Sequence, residues 1–290
     1  LFAEQNFTLT VSLSSPMCVT APEGLISWWP GDGNALDIVG TNHGTLKEGT
    51  SFLEGRADQG FAFDGLNDYV EIPNSGSLSV RGPFTIEMWV KLSDLNRYQW
   101  IFAKETATDR CTYSPYGIWV MTDNRVEFAF GDGVTDPCWE LRSRIQLTAD
   151  QWYHLAAIFD GTNQFLYVNG VLEASRNIGP RTPAVNTEPV RIGRIVYAGA
   201  LTYEVHGVVD EISLYDRALT GQEIAAIFAA GSAGKCKDLI PPGNQPPSIA
   251  SSAILNATVG QGYAYQVSAS DPNTGDTLTY SLPSAPAGMT

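Results

Sequence analysis

The chain has 290 residues, a net charge of −14 at neutral pH, 43% hydrophobic residues, 28 glycines and 17 prolines. That size allows one sizeable domain with something smaller attached, and the acidic balance argues against nucleic-acid phosphates and anionic membrane surfaces as partners. No apolar run is long enough to span a bilayer as a helix, and long helical patterns are nearly absent, so the composition favours an all-β protein.

Residues 1–17 read as the tail of another module. Phe7, Leu9 and Val11 alternate with Thr8, Thr10 and Ser12, and the lack of a basic start sets the stretch apart from a signal peptide, so any export signal lies upstream or has been removed. From Cys18 the character changes. GLISWWPGDGNALDIVGTNHGTL is a strand followed by a loop rich in Gly, Asn and Asp, and FAFDGLNDYVEIP is two short strands about a turn. In FTIEMWVKL, Phe84, Ile86, Met88, Val90 and Leu92 share one face, with Thr85, Glu87, Trp89 and Lys91 on the other. GIWVMTDNRVEFAF predicts a hairpin turning at Asp123-Asn124, and WYHLAAIFDGTNQFLYVNGVLEAS a hairpin set with Asn169-Gly170 as its type I′ turn.

Val208 to Tyr215 is dense in β-branched and aromatic residues, as a half-buried strand should be, with Asp210 inside the apolar run. Thr220-Gly221-Gln222-Glu223 spells a capping box, Leu219 is placed to staple onto Ile224, and Gly231 supplies a left-handed stop for one short helix. Strands recurring about every ten residues with turns between them predict two stacked antiparallel sheets, a sandwich or jelly roll. After Lys237, residues 238–245 form a proline-rich linker that should be extended and stiff. Residues 246–290 start a second β-module, too short for a complete sandwich of about 100 residues.

Cys18, Cys111, Cys138 and Cys236 form no C-x-x-C pair, which argues against zinc or a thioredoxin-like site. Of the three pairings they allow, Cys111–Cys138 would bridge two neighbouring loops, and Cys18–Cys236 would fasten the first strand of the domain to its end. These two are expected.

Five of the stretches, GLISWWPGDGNALDIVGTNHGTL, AFDGLNDYVEIPNSGSL, FTIEMWVKL, QWYHLAAIFDGTNQFLYVNGVLEAS and GVVDEISLYDRALTGQEIAAIFAAGSAGKC, together resemble a laminin-G-like (concanavalin-A-like) jelly-roll domain of secreted bacterial proteins over residues 18–237. The ending AGSAGKC, with a cysteine just before GLISWWP, is typical of that subgroup and supports Cys18–Cys236. Residues 246–290 resemble the first part of an Ig-like (cadherin-like) repeat, and NFTLTV near the start its last strand. The resemblance implies an all-β two-sheet jelly roll with one short C-terminal helix and a partial Ig-like module, set in a multi-domain surface protein. It further implies a secreted or cell-surface location, an adhesive or carbohydrate-binding role, and a structural calcium ion.

For calcium, Asp32, Asn34 and Asp37 lie in one loop and Asp210 lies in the strand near the domain's end, with backbone carbonyls needed to complete the shell. The same residues serve equally as Asx-turns and backbone caps. For a glycan, CTYSPYGIW and FGDGVTDPCWE offer Tyr113, Tyr116, Asp132, Asp136 and Trp139, aromatic faces for sugar C–H surfaces and polar groups for hydroxyls. Trp28, Trp29, Trp89 and Trp152 read as core. For catalysis, a glycosidase of this architecture needs carboxylates two apart on one strand face. No E-x-D-x-x-E run exists, Glu87 stands alone, and Asp210 and Glu211, being adjacent, are expected on opposite faces. His43, His154 and His206 sit where structural roles are expected. The expectation is therefore a non-catalytic recognition module whose partners are a glycan or cell-surface protein and the neighbouring Ig-like repeats. The alternative is a filament or scaffold subunit, its N-terminal strand completing the C-terminal module of the next copy head to tail.

Overall fold

Alternation along Phe84–Leu92 and its neighbouring strands builds the architecture, which a computed structural model describes for residues 18–105, 112–135, 138–197, 200–237, 248–249, 251 and 268–270. In chain order the strands are Leu25–Trp29 (β1), Thr45–Lys47 (β2), Ser51–Glu54 (β3), Gln59–Asp64 (β4), Tyr69–Ile72 (β5), Phe84–Leu92 (β6), Gln99–Lys104 (β7), Tyr116–Val120 (β8) and Val126–Phe130 (β9). There follow Trp139–Arg142 (β10), Trp152–Phe159 (β11), Asn163–Val168 (β12), Val171–Asn177 (β13), Val190–Ile192 (β14), Ile195–Tyr197 (β15), Ala200–Thr202 (β16), His206–Tyr215 (β17) and the helix Gly221–Ala230 (α1).

Two antiparallel sheets result. One has eight strands in the order β13-β12-β11-β6-β17-β4-β3, with β1 also on β17; the other has seven, β10-β9-β8-β7-β14-β5-β2. Between them Phe84, Ile86, Met88, Val90 and Leu92 of β6 meet Phe102, Tyr116, Ile118 and Phe128 from the seven-stranded sheet. This is the predicted jelly-roll sandwich. Asn169 and Gly170 both have positive φ (51° and 76°), as a type I′ hairpin turn requires.

The second face of β6 is not a solvent face. Thr85, Glu87 and Trp89 are buried there as well, because α1 lies across this sheet. Thr220 Oγ1 accepts from the Glu223 N–H while the Glu223 carboxylate accepts from the Thr220 N–H, so the capping box forms. Ile224 and Ile227 then pack with Leu219, Ala156, Ile158 and Tyr215, and Phe228 stacks on Trp89. Gly231 ends the helix with φ 55°, but its ψ of −121° is not that of a left-handed residue, and the chain continues into a 3-10 turn, Gly231–Ala233.

Strand β17 changes partner halfway along: residues 206–209 pair with β4 and residues 212–215 with β1. At the joint sits a bulge, with Glu211 at φ 57°. Val209 and Ile212 both face the core, so the two residues between them both project outward. The expectation that Asp210 and Glu211 occupy opposite faces is thereby corrected, since the bulge breaks the two-residue period.

The domain closes on itself. Val19 donates to Gly234 O, Cys236 donates to Val19 O in a parallel bridge, and Cys18 is disulfide-bonded to Cys236. Cys138 is also disulfide-bonded, and its expected partner Cys111 lies outside the described residues. Contacts divide the chain into the units Leu1–Leu239 and Ile240–Thr290, and within the second Ser248–Ile249 pairs antiparallel with Ala269–Ser270. The expected terminal strand (1–17), the linker (238–245), most of the Ig-like segment (246–290) and hence the strand exchange between copies lie outside the described residues. Among the described residues no helix is long and apolar enough to cross a membrane.

Candidate functional site

The four residues expected at calcium have other work. Asp37 is buried, its Oδ1 accepting from the backbone N–H groups of Trp28, Val39 and Gly40 and its Oδ2 from that of Asn42. Asn34 Oδ1 accepts from the Leu36 N–H. Asp32 accepts from the Gln59 N–H and from Lys237 Nζ, the latter at 2.6 Å. Asp210 Oδ2 accepts from the N–H groups of Arg56 and Ala57. Asp32 and Asp210 thus meet the same turn before β4. Among the described residues no group of three or more His, Cys, Asp or Glu is arranged to hold a metal.

The outer face of the eight-stranded sheet instead carries an internally neutralised cluster. Lys235 Nζ lies 2.8 Å from Glu87 Oε1 and 3.4 Å from Glu211 Oε2, and over the Trp28 ring. His154 Nε2 is 3.1 Å from Glu87 Oε2. Lys237 Nζ is 3.0 Å from Asp58 Oδ2 and 3.4 Å from Glu211 Oε1. Burial alone would raise the Glu87 carboxyl, but Lys235 and then His154 hold it down at about 2. Burial would lower the Lys235 ammonium, and Glu87 and Glu211 raise it instead, so both partners favour the charged pair. Asp210, with Oδ1 unpartnered, is pushed up to about 8 by burial and then by the charge of Glu211. Lys235 and Lys237 flank Cys236, so the disulfide pins both ammonium groups in place.

The glycan candidates lie at an open edge of the sandwich. Strand β10 is an edge of the seven-stranded sheet and β13 of the eight-stranded one, and the two run close to each other. Three loops are laced together beside them. Gly133 donates to Thr112 O, Gly131 to Ser114 O, Ala184 to Gly131 O, and Asn186 Nδ2 to Tyr113 O. Asp132 orders its own loop, accepting from the Val134 and Thr135 N–H groups and the Thr135 hydroxyl. Desolvation opposes ionisation of Asp132, yet the hydrogen bonds from Thr135 outweigh it and hold the carboxyl at about 2. Its Oδ2 also accepts from Trp139 Nε1 at 3.3 Å.

Asp132 and Trp139 are therefore in direct contact and Tyr113 sits on a loop bonded to that of Asp132, with Tyr113 51% exposed and Trp139 half-buried against the core. Tyr116 is not part of the surface. It alternates inward along β8, fully buried, its hydroxyl donating to Leu78 O. Asp136 lies outside the described residues. Arg176 and Arg181, 5.4 and 4.6 Å from the Trp139 ring centre, were not singled out from sequence, although two arginines five apart around Asn-Ile-Gly-Pro after an edge strand were there to be read.

Two facing antiparallel sheets, with a capped helix over one outer face and loop-borne aromatics at an open edge, define a jelly-roll sandwich of the lectin-like class. The Laminin_G_3 family model, of the concanavalin A-like lectin/glucanases superfamily, matches residues 63–225, and the chain belongs to this family. No curated protein matches it in sequence. Among solved structures it is similar to domain 4 of AbnA, a GH43 extracellular arabinanase from Geobacillus stearothermophilus, in complex with arabinotriose. The TM-score is 0.55 at 19% identity, over 69% of this chain and 96% of that one. It is also similar to the botulinum neurotoxin serotype G binding domain (TM-score 0.53, 14% identity, 70% of this chain and 50% of that). The binding domain of botulinum neurotoxin DC in complex with SialylT gives 0.55 at 10% identity, over 71% and 51%. The chain spans about half the length of those toxin domains, and at such identities the likeness establishes the fold alone.

Proposed function

We propose that this domain is a non-catalytic, extracellular glycan-recognition module within a larger adhesive protein, holding its ligand at the open edge through Tyr113 and Trp139, with Asp132 ordering the loop between them. The observation that carries this reading is the convergence of Tyr113, Asp132 and Trp139 where two loops and the start of β10 are fastened to one another, which preorganises a surface of aromatic and polar groups. Relatives of the same fold are described with arabinotriose and with SialylT bound, which supports a sugar as ligand. The Cys18–Cys236 disulfide favours an oxidising compartment. A non-catalytic role is supported by the state of the carboxylates. Glu87, Asp210 and Glu211 share a face, but all three are buried, Lys235 bridges Glu87 and Glu211, and Asp210 is held by the backbone N–H groups of Arg56 and Ala57. Glu127 on the other sheet is clamped by Arg142 at 2.6 Å.

The test is a glycan array probed with the wild-type domain and with Tyr113→Ala and Trp139→Ala. Binding to a defined set of glycans, lost in both variants at unchanged Tm, is the expected result. Absence of binding to every glycan, binding indifferent to both substitutions, or release of reducing ends from a bound oligosaccharide would refute it.

A further inference from the structure

The aromatic platform at the open edge is not bare. The guanidinium carbon of Arg181 lies 4.6 Å from the centre of the Trp139 ring and that of Arg176 lies 5.4 Å from it, and both arginines are exposed. An indole covered by guanidinium groups offers an approaching ligand a planar cationic surface in place of an apolar one. The two arginines come from β13 and the loop after it, whereas Trp139 comes from β10, so the arrangement bridges both sheets.

The two forks are engaged differently. Arg181 Nε is 3.7 Å from Asp132 Oδ2, so its charge is partly answered by a carboxylate that stays ionised. Arg176 has no carboxylate within ion-pair distance among the described residues, and its one hydrogen bond there is from Nη1 to Glu140 O at 3.2 Å. Arg144 adds a further exposed positive charge beside Ile145, whose N–H donates to Glu173 of β13. Glu140 and Glu173 lie at the same edge, so the selectivity must come from the open fork of Arg176 and not from a uniformly positive field. A guanidinium fork with unused N–H donors matches the two oxygens of a carboxylate. Tyr113, exposed on the adjoining loop, supplies the ring face such a sugar would lie beside.

We infer that the open edge recognises a sugar bearing a carboxylate, a uronic or sialic acid unit, with the acid group held by Arg176 and Arg181 over Trp139. The inference rests on the glycan-recognition reading and adds the charge of the ligand to it. Isothermal titration calorimetry would compare an oligogalacturonide with its carboxyl-reduced form, and sialyllactose with lactose, with oligomeric dextran sulfate as an anion without carboxylate. At least one acidic sugar should bind about tenfold or more tighter than its neutral partner, as loss of a charge-assisted hydrogen bond implies. Arg176→Ala should abolish that ratio at unchanged Tm, and Arg176→Lys should restore only part of it, since a point charge replaces a fork. Equal affinity for acidic and neutral partners would overturn the carboxylate inference while leaving glycan recognition standing. Preference for dextran sulfate over both acids, or a ratio untouched in Arg176→Ala, would overturn it too. Failure of every sugar to bind would overturn both readings.

Discussion

Replacing Lys235 with methionine removes the one ammonium standing between two buried carboxylates. Lys235 is 2% exposed, with Nζ 2.8 Å from Glu87 Oε1 and 3.4 Å from Glu211 Oε2. Methionine fills most of the space of the lysine stem, so the loss is chiefly electrostatic. Stranding a buried carboxylate in this way costs about 3–5 kcal/mol, and Lys235→Met should lose that much stability at neutral pH. The pH dependence should also flatten. In the wild type Glu87 sits at about 2 against an ordinary 4.5, so it contributes stability above 4.5 that is lost as pH falls toward 2. Without Lys235, burial is opposed by His154 alone, so the carboxyl rises and the variant should lose less of its remaining stability on acidification than the wild type does. Adding Glu87→Gln should recover part of the loss, because it removes one of the two stranded carboxylates, and the other, Glu211, keeps Lys237 at 3.4 Å. Urea unfolding followed by tryptophan fluorescence, disulfides intact, between about pH 4 and 8, measures all three quantities. A loss below about 1 kcal/mol, the range of exposed pairs, or a double variant no better than the single one would refute the reasoning.

Asp210, raised to about 8 from 3.8, has a contribution that is fully present below its unfolded value and is lost as pH rises through 8. Asp210→Asn should therefore gain on the wild type as pH climbs from 4 to 8, and a variant parallel to wild type throughout would contradict this. Removing the Cys18–Cys236 bond, which spans a sequence separation of 218, should cost about 5 kcal/mol in the chain-entropy account. The urea midpoint of Cys18→Ser/Cys236→Ser reads it, and an unshifted midpoint would count against a closing role. Because the oxygens of Asp37 already accept four backbone N–H groups, EGTA should leave Tm unchanged. A clear fall in Tm would reveal a bound cation and a different role for that loop.

The elements that follow a simple period were readable in advance. β6 alternates as its sequence does, the Asn169-Gly170 turn has the dihedrals its residues favour, and Thr220 and Glu223 cap each other. What escaped depends on contacts between distant residues. The bulge at Glu211 arises where β17 changes partner, and nothing local to Asp210-Glu211 announces it. From the sequence Glu87 reads only as a lone carboxylate on the face it shares with Thr85, Trp89 and Lys91, although a fully buried carboxylate requires a paired charge. Its partner lies 148 residues away, beside a cysteine read only for its sulfur. At the open edge, Tyr113, Asp132 and Trp139 were legible as loop residues of the right chemistry. The guanidinium cover on Trp139 was not, because it comes from an edge strand of the facing sheet and the loop that follows it.

The parallel bridge between Val19 and Lys235 has a mechanical meaning. The polypeptide arrives at the domain and departs from it side by side and heading the same way, joined there by a covalent bond between Cys18 and Cys236. Tension applied at Cys18 and Cys236 would therefore pass across that sulfur bridge, and only cutting the bridge would put the strands of the sandwich under load.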